Sequence, residues 1–289
     1  MAGKLRGIIA AVPTPIGRGG RPDGQRFVKH ARWCLDNGCD GLNVLGTTGE
    51  ANSLPIASRI SVMQTASSAL DASRMMVGTG TPDLATTIAL TRRAHKMGFG
   101  GALLLPPYYY KGLPDAAYFE WFAAIVRATR QTPIPLYLYN FPQMTGIKFS
   151  PDLVRRLHEA FPSRVVGAKD SSGDLDYAAE LARIEGFDVF PSNEVAVSRV
   201  DDGYAGCISA TVNVSAALAG ALWGDRANTF LKDKLGRVRT QIAAQPLIPA
   251  VKYLVAKIHG DEAFAKELLP QLPLQAAHKS ALDAIDYNL

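Results

Sequence analysis

A pair of glycines followed at once by an apolar run occurs three times, in NGCDGLNVL (37–45), MGFGGALLL (97–105) and DGYAGCISA (202–210). The first glycine of each (Gly38, Gly98, Gly203) suits the left-handed position that closes a helix, where a Cβ would be strained. The second opens an apolar segment after a very short loop. Such a joint commits the chain to pass from helix straight into strand, so its repetition argues for alternating α and β elements. Short apolar and β-branched runs bounded by turn residues give eight candidate strands, at 7–12, 41–45, 75–78, 102–105, 135–139, 165–169, 188–190 and 207–210. Between them lie helical spacings: Ile56, Ile60 and Met63; Tyr118, Trp121, Phe122 and Ile125; Leu153, Leu157 and Phe161. A further helix over about 23–37 precedes the second strand. Alternation predicts a parallel sheet with right-handed crossovers, and eight units with no sign of a sheet reversal predict a closed (β/α)8 TIM barrel. No GxGxxG follows the first strand, which argues against a dinucleotide fold. From about Gly224 the strands give out, and helical segments separated by Pro246, Pro249, Pro270 and Pro273 follow. The expected organisation is a barrel over 1–223 and a C-terminal helical region over 224–289, the latter an appendage to the barrel.

Composition narrows the function classes. The chain has 289 residues, 47% hydrophobic and 20% charged, ordinary for a globular protein with a sizeable core. Its net charge of +5 comes from scattered residues such as Arg92-Arg93 and Arg155-Arg156 on helical segments, not from the clustered patch that nucleic acid requires. No apolar segment approaches the ~20 residues of a membrane span. The opening MAGKLRGIIAAVPTP breaks at Pro-Thr-Pro too early for a signal-peptide core and reads as the first strand. Cys34, Cys39 and Cys207 are odd in number and lack metal-ligand spacing, so no disulfide framework or zinc site is expected. The expectation is a soluble cytoplasmic protein without nucleic-acid or membrane partners.

In such barrels the chemistry gathers where strands end, so those positions can be read off. The second strand ends in GTTGE (46–50), the fourth in PPYYYKG (106–112), the fifth in YLYNFPQMTG (137–146), the sixth at Lys169, the seventh in PSNE (191–194) and the eighth in ISATVN (208–213). Residues two apart on a strand share a face. Lys169 is thus expected to point with Gly167 and Val165, and Tyr139 with Tyr137, putting amine and phenol side by side at one rim. Gly167 would leave room for the lysine stem. An amine beside a phenol, with the hydroxyls of Thr47 and Thr48 two or more strands away on the same rim, suggests imine chemistry. Lysine attacks a ketone only as the neutral amine, which burial or a neighbouring cation favours by lowering its pKa from ~10.4. The phenol can relay protons and the threonines can hold a carboxylate. The competing reading of each signal is plain structure: a Lys-Asp step as a surface ion pair, Thr-Thr-Gly as a turn, PPYYY as packing. A metal-dependent reaction has little support, since His30, His95, His158, His259 and His278 all fall on predicted helices, away from the strand ends.

Together GTTGE, PPYY, YNxPxxTG and KDSSGD resemble the dihydrodipicolinate synthase and N-acetylneuraminate lyase family of pyruvate-dependent class I aldolases. The resemblance runs in order from the first strand to CISATVNVS, with a helical tail of the length that family has. It implies that Lys169 forms the Schiff base with pyruvate or another 2-oxo acid, with no cofactor and no metal. Tyr139 would be the central proton shuttle, linked through Thr47 to Tyr109, which in relatives reaches in from a neighbouring subunit. Thr48 with its backbone amide, beside Gly46, would bind the carboxylate, and the main chain at Ile208 would approach the lysine. A shared relay implies a dimer at least, and relatives are commonly tetramers.

Two departures bear on the substrate. Where family members that make dihydrodipicolinate carry an arginine in YNxPxRTG, this chain has Met144, which cannot give the charge-assisted hydrogen bonds of a guanidinium. Where many relatives carry glycine, PSNEV has Asn193, which either binds hydroxyl groups of a sugar-acid chain or only caps the following helix. The segment ANSLPIASR also lacks the histidines of some lysine-regulated relatives, so feedback by lysine is not expected. The best reading is a lyase that cleaves or condenses a 2-keto-3-deoxy sugar acid, with pyruvate and a small aldehyde as partners. Alternatives are 4-hydroxy-tetrahydrodipicolinate synthase acting on pyruvate and aspartate semialdehyde, a dehydratase on the same scaffold, and a non-enzymatic 2-oxo-acid-binding homologue.

Overall fold

The structure, a computed structural model, describes residues 5–289. Eight parallel strands lie in the order β7-β6-β5-β4-β3-β2-β1-β8: β1 (Gly7–Ala11), β2 (Gly41–Val44), β3 (Met75–Gly78), β4 (Gly101–Leu104), β5 (Leu136–Asn140), β6 (Val165–Asp170), β7 (Asp188–Pro191) and β8 (Gly206–Ser209). The backbone of Ala205, just before β8, donates to Val189 of β7 at 3.0 Å and brings the last two strands together. The fold is a (β/α)8 TIM barrel, each strand within one residue of its expected position. Gly38, Gly98 and Gly203 have φ of 116°, 78° and 69°, so the three helix-to-strand joints do use the left-handed conformation.

Helices α1 (Gly24–Asp36), α2 (Ile56–Ala69), α3 (Leu84–Lys96), α4 (Asp115–Ala128), the short α5 (Pro142–Thr145), α6 (Pro151–Ala160), α7 (Leu175–Ala182) and α8 (Val212–Gly224) alternate with the strands. The helices α9 (Thr229–Ala243), α10 (Leu247–His259) and α11 (Ala276–Asp283) follow. Asp23, Asp83, Ser150 and Asp174 accept backbone hydrogen bonds at the starts of α1, α3, α6 and α7, satisfying donors that a helix leaves unpaired. On α2 the buried stripe is Arg59, Val62, Met63 and Ala66, one step round from the expected face; Ile56 is exposed.

Two apolar layers result. One packs the outer face of the barrel against the helices; the other fills its interior with Ile9, Ala11, Met76, Leu103, Tyr137, Tyr139, Val166, Phe190 and Ile208. Tyr137 is the plug. A Cβ on Gly101 would lie 2.7 Å from its ring, so that glycine seats the tyrosine; a Cβ on Gly167 would lie 2.2 Å from the Asp188 carbonyl of β7 and 2.9 Å from the Tyr137 ring, so Gly167 admits the neighbouring strand first and the tyrosine second. Gly167 was expected to make room for the lysine stem; the space beside it is taken by the Asp188 carbonyl, with the Tyr137 ring next.

The expected sharing of a face by Val165 and Lys169 is also corrected. Leu136 pairs with Val165 but Tyr137 pairs with Gly167, so β6 carries a β-bulge and the alternation slips by one residue. Val165 packs among the outer, helix-facing residues, while Val166 lies in the interior layer. Lys169 still enters the barrel, on the Gly167 side.

Candidate active site

Strand register assembles the site. Tyr139 is the partner of Lys169, and Asn140 of Asp170. Alternation turns the first pair into the barrel and the second away from it. The Asn140 amide donates to Asp170 Oδ1 at 2.6 Å, its carbonyl accepts from the Phe149 amide at 3.1 Å, and Asp170 also accepts the Ser172 hydroxyl at 2.8 Å. Burial pushes the Asp170 carboxyl up from the usual range, against the hydrogen bonds from Asn140 and Ser172 that pull it down. The Lys-Asp step is therefore no surface ion pair: Asp170 is 2% exposed and locks the register that sets Lys169 beside Tyr139.

Facing inward, Lys169 is buried, with Nζ 4.5 Å from the centroid of the Tyr139 ring. None of the ion pairs among the described residues involves it. The Tyr139 hydroxyl and Thr47 Oγ1 are hydrogen-bonded at 3.1 Å. Gly46 opens the threonine turn; a Cβ there would lie 2.4 Å from Oδ1 of the buried Asn43, whose amide would have to shift. At the other end of the turn the Gly49 carbonyl accepts from Thr14 Oγ1 at 2.8 Å. Thr48, buried, lines the same cavity as Lys169, Tyr139, Thr47 and Ile208, a space of about 500 Å³.

The remaining expected residues stand farther out. In YNFPQMTG, Pro142 starts α5, the Thr145 hydroxyl donates to the Phe141 carbonyl at 3.0 Å, and Gly146 ends the turn at φ 68°. This leaves Met144 at the cavity mouth, 66% exposed. Asn193 fits both of its readings. Its Oδ1 accepts from the Val195 amide at 3.0 Å as a helix cap, yet it also lines the cavity. Tyr109 is not brought to the site: it is 75% exposed and its ring packs on Tyr110 at 5.2 Å.

The far wall comes from residues that sequence reasoning missed. Arg239, Ala243, Leu247, Ile248 and Gln271, all from the C-terminal helical region, line the cavity. Arg239 Nη1 donates to Glu194 at 2.6 Å and to the hydroxyls of Ser209 and Thr211 at 3.3 Å each; Glu194, fully buried, also accepts from both hydroxyls. The available signal was spacing. Leu235, Val238 and Ile242 form the buried face of α9 at i, i+3 and i+7, and Arg239 fills the i+4 place on that face.

Comparison with known proteins fits this geometry. The sequence matches the Dihydrodipicolinate synthetase family over residues 4–286. The chain belongs to that family. It is 31% identical to the 4-hydroxy-tetrahydrodipicolinate synthase of Mesorhizobium japonicum, across 98% of this chain and 96% of the relative. Among solved structures it resembles the dihydrodipicolinate synthase of Agrobacterium tumefaciens (TM-score 0.88, 28% identity, 96% of this chain and 99% of that one). It also resembles the KD(P)GA of T. tenax (TM-score 0.84, 25% identity, 96% and 97%). Family membership makes the protein a lyase of the pyruvate-dependent aldolase type, in which a lysine–pyruvate Schiff base does the work and no external cofactor takes part. Among the described residues, no group of three His, Cys, Asp or Glu side chains is placed to hold a metal ion, and no helix is long and apolar enough to cross a membrane.

Proposed function

We propose that the protein cleaves, or forms, a 2-keto-3-deoxy sugar acid, with pyruvate and a small aldehyde as the other partners. The observation that carries this reading is the buried Lys169 amine beside the Tyr139 ring, with Tyr139 bonded to Thr47, in one cavity of about 500 Å³. Lys169 Nζ attacks C2 of the oxo acid, water leaves, and the protonated imine becomes an electron sink. Tyr139 takes the proton of the C4 hydroxyl, the C3–C4 bond breaks, and its electrons form the enamine of pyruvate while the aldehyde departs. Protonation of the enamine and hydrolysis of the imine release pyruvate and free the lysine. Thr48 and its backbone amide hold the carboxylate, beside Gly46; Thr47 passes protons to and from Tyr139. Tyr109 completes the relay from a second copy of the chain, which suits its exposure here and makes the working unit a dimer or a dimer of dimers.

The cavity wall supports this substrate class. Met144 supplies no charge at the mouth, and Asn193 and Ser192 supply amide and hydroxyl groups suited to a polyol. A second reading, 4-hydroxy-tetrahydrodipicolinate synthase, is favoured by the names of the curated relatives and by Arg239, a guanidinium in the same cavity. Pyruvate with borohydride is expected to label Lys169 irreversibly, and labelling that persists in Lys169→Ala would sink the mechanism. Pyruvate release from a panel of 2-keto-3-deoxy acids, set against a coupled assay with aspartate semialdehyde, separates the two substrates. Met144→Arg is expected to raise the second activity; no gain would remove the argument from Met144.

A further inference from the structure

Among the described residues, the non-glycine positions with left-handed backbone are Leu45 (φ 56°) and Glu50 (φ 51°), and they bracket the Gly46–Gly49 turn at the foot of the cavity. A side chain in that conformation is strained and persists only where its surroundings over-determine it. Those surroundings are present at Glu50. Its carboxylate is buried, Oε1 accepts the Leu268 amide at 2.7 Å, and Oε2 pairs with the ammonium of Lys252 on α10. Lys252 is fully buried and also donates to the Lys266 carbonyl at 2.7 Å.

A buried ion pair is a poor device for stability alone, because desolvating two charges offsets most of their attraction and an apolar pair of the same volume does as well. Its position offers a better account. Glu50 is the last residue of the turn, and its amide donates to the Thr47 carbonyl at 2.9 Å, so its backbone conformation fixes how the peptide units of Thr47 and Thr48 are aimed. The partners of its side chain all belong to the C-terminal region, which also supplies the far wall through Arg239 and Gln271.

We propose that Glu50 and Lys252 are positioning residues: the pair holds Glu50 in the left-handed conformation and thereby keeps the Thr48 amide aimed at the carboxylate of the 2-oxo acid. This rests on the carboxylate-binding role given to Thr48 above. Loss of the pair weakens capture of pyruvate without removing the reacting groups.

The test is borohydride trapping of pyruvate on Lys169, read as the half-saturating pyruvate concentration, in variants whose fold is verified by near-ultraviolet circular dichroism. In Glu50→Ala/Lys252→Met that concentration is expected to rise roughly tenfold, with the same final labelling, as for loss of one hydrogen bond to a charged group. In Glu50→Gly/Lys252→Met it is expected to return to within about threefold of the natural protein, because glycine adopts the left-handed conformation without a Cβ. Alanine and glycine variants that behave alike overturn the proposal, since a merely structural pair does not distinguish them. Lys252→Met alone keeps the Glu50–Leu268 bond and decides the matter should the doubles fail to fold: a rise of several-fold supports the role, an unchanged value overturns it. A natural protein that traps no pyruvate would refute the functional reading and this proposal together, whereas normal trapping with unaltered variants refutes the pair alone.

Discussion

On one side of the cavity stand Tyr139 and Lys169, paired in strand register, and Thr47, in the turn just beyond β2 and hydrogen-bonded to the Tyr139 hydroxyl. On the other side stand Arg239, Leu247, Ile248 and Gln271, set by how helices α9 and α10 and the segment after them pack onto the barrel. Register is a discrete property. A residue is either in phase with the interior or out of it, and backbone ladders hold it there. Helix docking is continuous: a shift of an ångström moves a side chain without breaking a ladder. The difference suggests a division of labour, with bond-making groups on the rigid wall and the adjustable wall joining Met144 and Asn193, in the loops after β5 and β7, in choosing the substrate.

The sharpest way to break that division is Lys169→Ala, which should abolish both pyruvate labelling and turnover; residual turnover above background would mean that the strand wall is not where the bond is made. Tyr139→Phe keeps the ring beside the amine and removes the relay hydroxyl. It should lower kcat by roughly a hundred- to a thousandfold, the usual scale for a lost general acid–base, while Lys169 is still labelled by pyruvate and borohydride. Arg239→Ala tests the other wall: KM for the full-length substrate should rise roughly tenfold, as for one lost charged contact, with pyruvate labelling unaltered. Equal damage to labelling and to KM would erase the distinction between the walls.

The smallest expected effect concerns how the second wall is docked. His259 of α10 meets His30 of α1 at 3.1 Å, and His30 bonds Asn213 at 3.0 Å. Burial pushes both imidazoles down to about 4, with the neighbouring His30 adding to the shift at His259. Because the folded values lie below the ordinary ~6.5, the unfolded chain takes up protons first. The stability from these neutral rings is fully present above pH 6.5 and is lost as pH falls toward 4. Melting temperature should drop across that window, and His30→Gln should flatten the slope; an unchanged slope would remove these rings from the account.

Much of this was legible in the sequence because barrels advertise their joints. Gly38, Gly98 and Gly203 mark places where only one backbone conformation will do, and strand ends then point to Lys169, Tyr139 and Thr47. What stayed hidden depends on neighbours. The bulge at Val166 cannot be read from alternation, since it is a mismatch between two strands and not a property of one. Nothing in either strand alone signals the bond between Asn140 and Asp170, so the Lys-Asp step could pass for a surface ion pair. Arg239 and Lys252 resembled ordinary helix cations, although each sits among the apolar residues of its helix and a cation at such a place demands a buried partner. Tyr109 has no role that one copy of the chain can reveal.

The bulge in β6 carries a last consequence, one of parity. Counting regularly from Val165, whose side chain lies against the helices, Lys169 would also face outward and Asp170 would enter the cavity. The single supernumerary residue reverses odd and even for everything after it. A nucleophilic amine and a carboxylate unable to form an imine are thus adjacent letters competing for one place, and half a pleat of backbone decides between them. Any variant that flattens that strand, however far from the substrate, should exchange the one for the other and silence the enzyme without touching a catalytic atom.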